Sequence, residues 1–295
     1  MPDTSGDCWL DWIVHGRDVD DRELQRRSLE HLIPLRDTVL DQAALSAGDV
    51  CLDVGCGDGL IGIGALRRVG SSGGVIFSDI SAGLLERSRQ AVAALGLPGR
   101  ADFVLTSAED LAGIPGGSVD GVLMRSVLIY VQDRAAAFRA FHRVLKPGGR
   151  LSIFEPMSSF FAQTPDGEYF GWDVGGVEDL ATKVEQVFFS TQPPGEDPMT
   201  TLTFEELARS AEEAGFRKVA GRLVVSSSPP PPGDEADVTY VLRSRPNPKL
   251  VSTEEAARLA LSPTEAETFL RALRAAVAKG LGRLRSAHAF LSATR

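Results

Sequence analysis

"VCLDVGCGDGLIGIGAL" (residues 50–66) is the stretch that decides the fold, because an apolar run, a glycine-rich loop and the start of a helical pattern follow one another within it. Gly55, Gly57 and Gly59 occupy three of five successive positions, with apolar residues on both sides. Glycine permits backbone conformations and close approaches that other residues do not. We therefore expect the backbone of this loop to contact a ligand.

The region around this loop alternates strand-like and helical segments over residues 50–155. Segments of helical periodicity separate five apolar runs, which are "VCLDV", "GVIFSD", "ADFVLT", "VDGVLM" and "GRLSIFE". In "RAAAFRAFHRVLKPGG" an apolar stripe has helical spacing, and Pro147 with the following glycines ends the pattern. Such alternation is typical of βαβ units and predicts an α/β fold with a doubly wound parallel sheet.

The C-terminal third contains further helix and strand signals. Thr203 and Glu206 form a predicted capping box for the helix in "FEELARSAEEAG", and Ser262 and Glu265 form a second one. Two further strands are predicted in "FRKVAGRLVVSSS" and "DVTYVLRS", on either side of "PPPPG". The final stretch, "GRLRSAHAFLSATR", is ambiguous between helix and strand.

Composition limits the classes of partner. The chain of 295 residues carries a net charge of -9, which disfavours nucleic acid, and it has no apolar run of the roughly 18 residues that would span a bilayer. Its first residues lack the pattern of a signal peptide, so a cytoplasmic location is expected. The cysteines, Cys8, Cys51 and Cys56, fall in no metal-binding spacing, and no metal is expected.

The glycine loop departs from the dinucleotide-binding fingerprint. That fingerprint requires a glycine at position 60, where this chain has Leu60. Asp53 is predicted at the end of the first strand, and Asp79 ends the next one, where an acid would accept hydrogen bonds from ribose hydroxyls. The pattern favours a nucleoside-containing cofactor other than NAD.

Four motifs in order, "LDVGCGDG", "SDIS", "TSAEDL" and "VLKPGGRL", resemble those of the class I S-adenosylmethionine-dependent methyltransferases. The stretch "RSVLIYVQDRAAAFRAFHRVLKPGGRLSIFEP" is similar to the small-molecule branch of that family. The resemblance implies a Rossmann-like, seven-stranded, mostly parallel sheet with helices on both faces. It also implies S-adenosyl-L-methionine as cofactor, S-adenosyl-L-homocysteine as product and a small-molecule acceptor.

The resemblance also suggests a division of the chain. The predicted core covers residues 46–245 and includes a lid insertion at residues 156–202. An N-terminal helical cap is predicted at residues 1–45, and a mainly helical extension at residues 246–295. The state expected in solution is a monomer or a homodimer.

Cofactor contacts follow from the resemblance, position by position. The amino-acid end is assigned to Asp53 and the loop of Gly55, Cys56 and Gly57, and the ribose to Asp79. The adenine is assigned to Ile80 or Leu84 along its face and to the segment after the third strand along its edge. That edge segment and the segment expected beside the sulfonium comprise Ser107, Ala108, Glu109, Arg125 and Ser126. Relatives often carry an aspartate where this chain has Ser107, so Glu109 or Asp110 is an alternative for the adenine amino group.

The long segment at residues 156–202 concentrates aromatic residues in "SFFAQTPDGEYFGWD". Aromatic faces can stack on a planar acceptor and face a sulfonium cation, but they can equally form the hydrophobic floor of a lid. The candidate acceptor-binding residues are Trp12, Tyr130, Glu155, Phe160, Tyr169, Phe170 and Trp172. An aromatic or heteroaromatic acceptor is the favoured interpretation.

Methyl transfer needs a base only where the acceptor must lose a proton. The candidate bases are His15, Tyr169 and Asp173, with Glu155 and Tyr130 as further possibilities. His142 lies on an apolar helical stripe and is interpreted as structural.

Three classes of function compete. A small-molecule methyltransferase of natural-product tailoring is the leading hypothesis, with O-, N- or C-methylation open. A version acting on thiols or arsenic is disfavoured by the few cysteines. An NAD(P)-dependent oxidoreductase is opposed by Leu60 and by "LKPGG", and a non-catalytic binding protein on the same fold is the third possibility.

Overall fold

The computed structural model describes residues 6–96, 100–161 and 167–295; of Phe160 and Phe161 it describes the backbone but not the side chains. The chain divides into two compact units. We call the first the sheet unit; it comprises His31–Met157, Leu202–Val224 and His288–Arg295. We call the second the helical unit; it comprises Met1–Glu30, Ser158–Thr201 and Val225–Ala287.

A seven-stranded sheet forms the centre of the sheet unit. Its strands are β1 (Val50–Val54), β2 (Gly74–Asp79), β3 (Ala101–Leu105), β4 (Val119–Arg125), β5 (Leu145–Pro156), β8 (Arg217–Ser228) and β9 (Leu284–Thr294). Their order is β3-β2-β1-β4-β5-β9-β8; the first five are parallel, and β9 is antiparallel to β5. The predicted seven-stranded, mostly parallel, Rossmann-like sheet is confirmed.

Helices precede, separate and follow the parallel strands along the chain. They are α2 (Arg22–Ala43), α3 (Leu60–Val69), α4 (Ala82–Ala94), α5 (Arg134–Val144) and α8 (Phe204–Glu213). α3 packs on β1 and β2, and α4 packs on β2 and β3, around a core that includes Leu40, Leu66 and Phe77. Strand order reverses beside β1, because β2 continues to one side and β4 to the other. Ligands of such sheets bind at the carboxyl ends of the strands near this reversal.

Helices and a short hairpin make up the helical unit. Its elements are α1 (Cys8–Asp11), a π-helix (Trp12–Gly16), β6 (Glu168–Tyr169), β7 (Trp172–Asp173), α6 (Glu178–Thr191), α7 (Pro198–Thr201), α9 (Glu235–Arg243), α10 (Thr253–Ala260) and α11 (Pro263–Lys279). β6 and β7 pair through Tyr169 and Trp172, and both side chains join a core with residues of α6, α10 and α11 such as Phe188, Ala257 and Phe269. The segment predicted as a lid is therefore largely regular structure within a second hydrophobic core.

Two segments differ from the prediction or resolve it. "DVTYVLRS" belongs to α9 and not to a strand. The Asp234 side chain caps this helix in a reciprocal box with Asp237, and Val238 and Leu242, four residues apart, both lie on its buried face. The ambiguous C-terminal stretch is β9, whose residues from His288 to Thr294 pair with β5.

The C-terminal segment contributes to both units. The sheet is completed by residues beyond 245, so the C-terminal segment is helical only as far as α11 and then returns to the sheet unit. The capping residue Ser262 begins α11 with the predicted reciprocal box. At α8 only half of the predicted box forms, because Thr203 accepts from the Glu206 amide while the Glu206 carboxylate pairs with Arg134.

Candidate functional site

The glycine loop follows β1 at its carboxyl end. Gly55, Gly57 and Gly59 all have positive φ, at 61°, 55° and 88°, a region that residues with a Cβ rarely adopt. The loop is fastened by the Cys56 amide, which donates to the Ser78 carbonyl at 2.9 Å. Gly59 is also the N-cap residue of α3. The close spacing of the glycines thus reflects a fixed backbone path that leads into a helix.

Gly57 is held at both of its backbone polar groups. Its amide donates to Asp79 Oδ2 at 2.9 Å, and its carbonyl accepts from Ser88 Oγ at 2.9 Å. Ser88 lies on α4 and is fully buried. Sequence reasoning missed it, because no local motif links a serine to a loop 31 residues earlier.

Asp79 ends β2 and is almost completely buried. Its Oδ1 accepts from the Ser81 amide at 2.9 Å, and its Oδ2 accepts from Gly57. These two bonds fix the orientation of the carboxylate. Contact of Asp79 with the ribose hydroxyls stays a prediction.

Asp53 is fully buried within β1, and its Oδ2 accepts from the Gly62 amide of α3 at 2.8 Å. Burial raises the pKa of Asp53 to about 7, against the opposing effect of the Gly62 hydrogen bond, while the nearby Asp79 raises it further. The contact that fixes Asp53 in the structure is therefore the start of α3. Contact with the cofactor's amino-acid end stays a prediction.

Cys56 lies within the loop and is buried, with its Sγ 3.7 Å from Ser88 Oγ. Burial raises the pKa of the Cys56 thiol well above its ordinary value. Nucleophilic thiols have lowered pKa values, so Cys56 is a packing residue of the loop and not a reactive group.

The two candidates for the adenine face occupy different environments. Ile80, directly after Asp79, is 56% exposed, whereas Leu84 is buried on α4. An exposed apolar side chain beside Asp79 is available to a planar base, and a core leucine is not. Of the two, the structure favours Ile80.

The segment after β3 is ordered by Asp110. Its Oδ1 accepts from Thr106 Oγ1, Ser107 Oγ and the Ala112 amide at 3.1–3.3 Å. Glu109 is half-buried, and its Oε1 accepts from the Asp133 amide at 3.3 Å. Asp110 is engaged within its own turn, so the alternative that assigns the adenine amino group to Glu109 is the better supported of the two.

The turn after β4 carries Arg125 and Ser126, both half-buried. Ser126 has φ 57°, unusual for a residue with a Cβ, and its amide donates to the Phe154 carbonyl at 2.9 Å. The turn continues into a 3₁₀ helix, Leu128–Tyr130, near the carboxyl end of β4. Tyr130 ends this helix and is half-buried. The loops after β1 and β4 meet, because a Cβ placed on Gly55 would overlap Val127 Cγ2.

Glu155, predicted to bind acceptor, is fully buried at the end of β5. Its carboxylate accepts from the amides of Val127, Leu128 and Ile129. Both carboxylate oxygens are thus turned toward the backbone of the β4 turn. A role of Glu155 in acceptor binding or as a base stays a prediction.

Two of the aromatic candidates of the helical unit, Tyr169 and Trp172, are core residues. Tyr169 is 1% exposed, its hydroxyl donates to Thr253 Oγ1 at 3.2 Å, and burial raises the pKa of its phenol. Trp172 is buried in the same core, whereas the Phe170 ring is 46% exposed. Burial of Tyr169 and its raised pKa oppose a role as a base and support the interpretation of these rings as a hydrophobic floor.

The remaining candidates of the helical unit lie near its surface. His15 is exposed, with Nδ1 2.8 Å from Asp20 Oδ2, and the exposed Asp173 accepts from the Gly175 amide. Trp12 donates its indole N–H to the Arg245 carbonyl at 2.8 Å. The Phe160 side chain lies outside the described residues. Catalytic and acceptor-binding roles for this group stay predictions.

Two searches of the described residues concern membranes and metals. Within residues 6–96, 100–161 and 167–295, no helix combines the length and apolar character needed to cross a bilayer. In the same part of the chain, no three His, Cys, Asp or Glu side chains cluster in a way that could hold a metal ion.

Comparison with known proteins gives a family match for part of the chain. Residues 52–153 match the family described as a methyltransferase domain. The chain is 35% identical over 130 residues to a ubiquinone/menaquinone biosynthesis C-methyltransferase of Marinomonas sp., which covers 43% of this chain and 51% of that protein. It is 31% identical over 158 residues to the protein of the same name in Cronobacter sakazakii, covering 49% of this chain and 62% of the relative. The chain therefore spans between half and two thirds of the length of these relatives.

Solved structures share the fold at low identity. A Bacillus halodurans protein described as a methyltransferase has a TM-score of 0.53 at 16% identity, covering 88% of this chain and 97% of that one. A geranyl diphosphate methyltransferase in complex with S-adenosylmethionine has a TM-score of 0.51 at 16% identity, covering 93% of this chain and 91% of the other. At this level of identity the likeness concerns the fold alone.

Proposed function

We propose, from the premise that this chain belongs to the class I S-adenosylmethionine-dependent methyltransferases, that it transfers a methyl group from S-adenosyl-L-methionine to a small-molecule acceptor. The observation that carries the proposal is the hydrogen bond from the Gly57 amide to the Asp79 carboxylate. This contact sets an acid at the end of β2 against a glycine loop at the end of β1.

The residues present fit the cofactor. Gly55, Gly57 and Gly59 have positive φ and no side chain, so the backbone at these positions is open to close approach by the amino-acid end. Asp79 places a carboxylate, a group that accepts hydrogen bonds from hydroxyls, beside the glycine loop, and Ile80 offers an exposed apolar surface next to it. Leu60, in place of the third glycine of the dinucleotide fingerprint, makes the oxidoreductase alternative the weaker fit.

When bound, the cofactor supplies an electrophilic methyl group on a sulfonium. The contribution of the chain is to hold the cofactor at a fixed place and to exclude water from the acceptor. Holding two reactants in a near-attack geometry is worth as much as about 7–11 kcal/mol of activation free energy. On this basis the sheet unit can support transfer without a residue that forms a covalent intermediate.

The class of acceptor is proposed from the aromatic residues of the helical unit. The exposed ring of Phe170 and the aromatic content of residues 156–202 favour an aromatic or heteroaromatic small molecule, as in natural-product tailoring. The C-methyltransferase relatives supply a second candidate, transfer to carbon in a ring of the kind used for quinone biosynthesis. A cytoplasmic location, a monomeric or homodimeric state and the absence of nucleic-acid and membrane partners stay predictions.

The test has a binding arm and a transfer arm. Calorimetry should show binding of S-adenosyl-L-homocysteine and no binding of NAD⁺ or NADP⁺, and the opposite pattern would reinstate the oxidoreductase. Methyl-labelled cofactor is then incubated with phenols, aromatic amines and quinols, and label in the acceptor is measured by mass spectrometry. Binding without transfer to any member of a broad panel would favour the non-catalytic alternative.

A further inference from the structure

The carboxylate of Glu155 acts as a cap supplied by a neighbouring strand. Its Oε1 accepts from the Val127 and Leu128 amides at 2.8 Å each, and its Oε2 accepts from the Ile129 amide at 3.3 Å. These amides open the 3₁₀ helix Leu128–Tyr130, whose own N-cap residue, Val127, provides no side-chain hydrogen bond. The first amides of such a helix need acceptors, and here β5 provides them.

The placement of a carboxylate there is energetically demanding. Glu155 is fully buried, and burial raises its pKa to about 7, while the three amides and the nearby Arg125 act in the opposite direction. A buried acid is tolerated where donors compensate it, and removal of such a group leaves its partners unsatisfied. The three amides therefore depend on this side chain for their position.

The capped turn is in direct contact with the glycine loop. The Val127 side chain lies against Gly55, because a Cβ at Gly55 would overlap Val127 Cγ2. One residue earlier, the Ser126 amide donates to the Phe154 carbonyl, so β5 holds the turn through two successive residues. A continuous path of contacts runs from Glu155 through Val127 to Gly55.

We propose that Glu155 is a positioning residue for the cofactor: by fixing the 127–129 amides it holds Val127 against Gly55 and keeps the glycine loop in its binding conformation. The inference rests on the proposed function, since it concerns the cofactor named there. Glu155 itself does not touch the reacting atoms.

Glu155→Gln is the main variant, because it keeps the shape and one carbonyl oxygen but turns an NH₂ group toward one of the amides, donor against donor. The dissociation constant of S-adenosyl-L-homocysteine, measured by calorimetry, should rise about tenfold. The control is Ser152→Ala, on the same strand, which removes a buried hydrogen bond to the Val39 carbonyl away from the turn. It should lower the melting temperature and leave the dissociation constant within about twofold of wild type.

Val127→Ala keeps the test decisive if the glutamine variant fails to fold. This variant should weaken binding at least about threefold, and in Glu155→Gln/Val127→Ala the two effects should be less than multiplicative, because they act along one path. Wild-type affinity in either single variant, or fully multiplicative effects in the double variant, would overturn the inference. A wild-type protein that binds no S-adenosyl-L-homocysteine would instead refute the proposed function.

Discussion

The substitution Asp79→Ala tests the ribose contact on which the proposed function depends. The carboxylate is oriented by the Gly57 and Ser81 amides, each at 2.9 Å, at the carboxyl end of β2. Charge-assisted hydrogen bonds contribute about 1.5–3 kcal/mol each. Loss of two such bonds, partly replaced by water, should weaken S-adenosyl-L-homocysteine binding by a factor of about 10 to 1,000.

A loss of affinity alone does not prove contact, because Asp79→Ala also releases the Gly57 amide and can distort the loop. We therefore compare S-adenosyl-L-homocysteine with its 2′-deoxy analogue by calorimetry. Wild-type protein should prefer the hydroxylated ligand by about tenfold, and Asp79→Ala should lose most of that preference. If the variant binds S-adenosyl-L-homocysteine with wild-type affinity, or retains the full preference, Asp79 does not accept from the ribose.

Three further substitutions address the loop, the second core and the buried acid of β1. Gly57→Val should abolish S-adenosyl-L-homocysteine binding, because φ is 55° there, while the circular dichroism spectrum stays native. Gly96→Val is the matched control: φ is 70° at this position and the space around it is open, so this variant should bind the ligand normally. Trp172→Ala should lower the free energy of unfolding by about 3–5 kcal/mol in urea titrations, whereas Phe170→Ala, half exposed, should cost about 1 kcal/mol or less; equal effects would contradict the assigned core. Because the pKa of Asp53 is raised from 3.8 to about 7, the folded state binds the extra proton, and stability should fall as pH rises through that window and level off above it. Asp53→Asn should flatten this decline, and an unchanged slope would show that Asp53 titrates normally.

The sheet and the cofactor loop could be predicted because their determinants are local. The spacing of Gly55, Gly57 and Gly59 requires a special backbone path wherever it occurs, and an acid that ends an apolar run, such as Asp79, is placed at a strand end by the run itself. The motif order then located both at the same edge of the sheet.

Other features depend on partners far along the chain. β9 becomes a strand because β5 offers it an edge, and nothing within "GRLRSAHAFLSATR" reveals that edge. The β-branched residues of "DVTYVLRS" favour a strand locally, but the Asp234 cap and the packing of Val238 and Leu242 decide for α9.

The candidate acceptor residues stay predictions for a related reason. An aromatic side chain has the same identity in a core and in a binding pocket, so the sequence alone could not separate the buried Tyr169 from the exposed Phe170. The role of Glu155 depends on amides 26–28 residues away, and no side-chain pattern marks them.

The strand order has a consequence for synthesis of the protein on the ribosome. β9 lies between β5 and β8, yet it is translated after both, and after α9, α10 and α11. At about 5–20 residues per second, β8 waits several seconds for the strand that joins it to the sheet, while the outer edge of β5 has no partner from this sheet. Nascent chains with such an open edge are prone to pair with other chains. The interval before β9 emerges is therefore when the outer edge of β5 is open to such pairing.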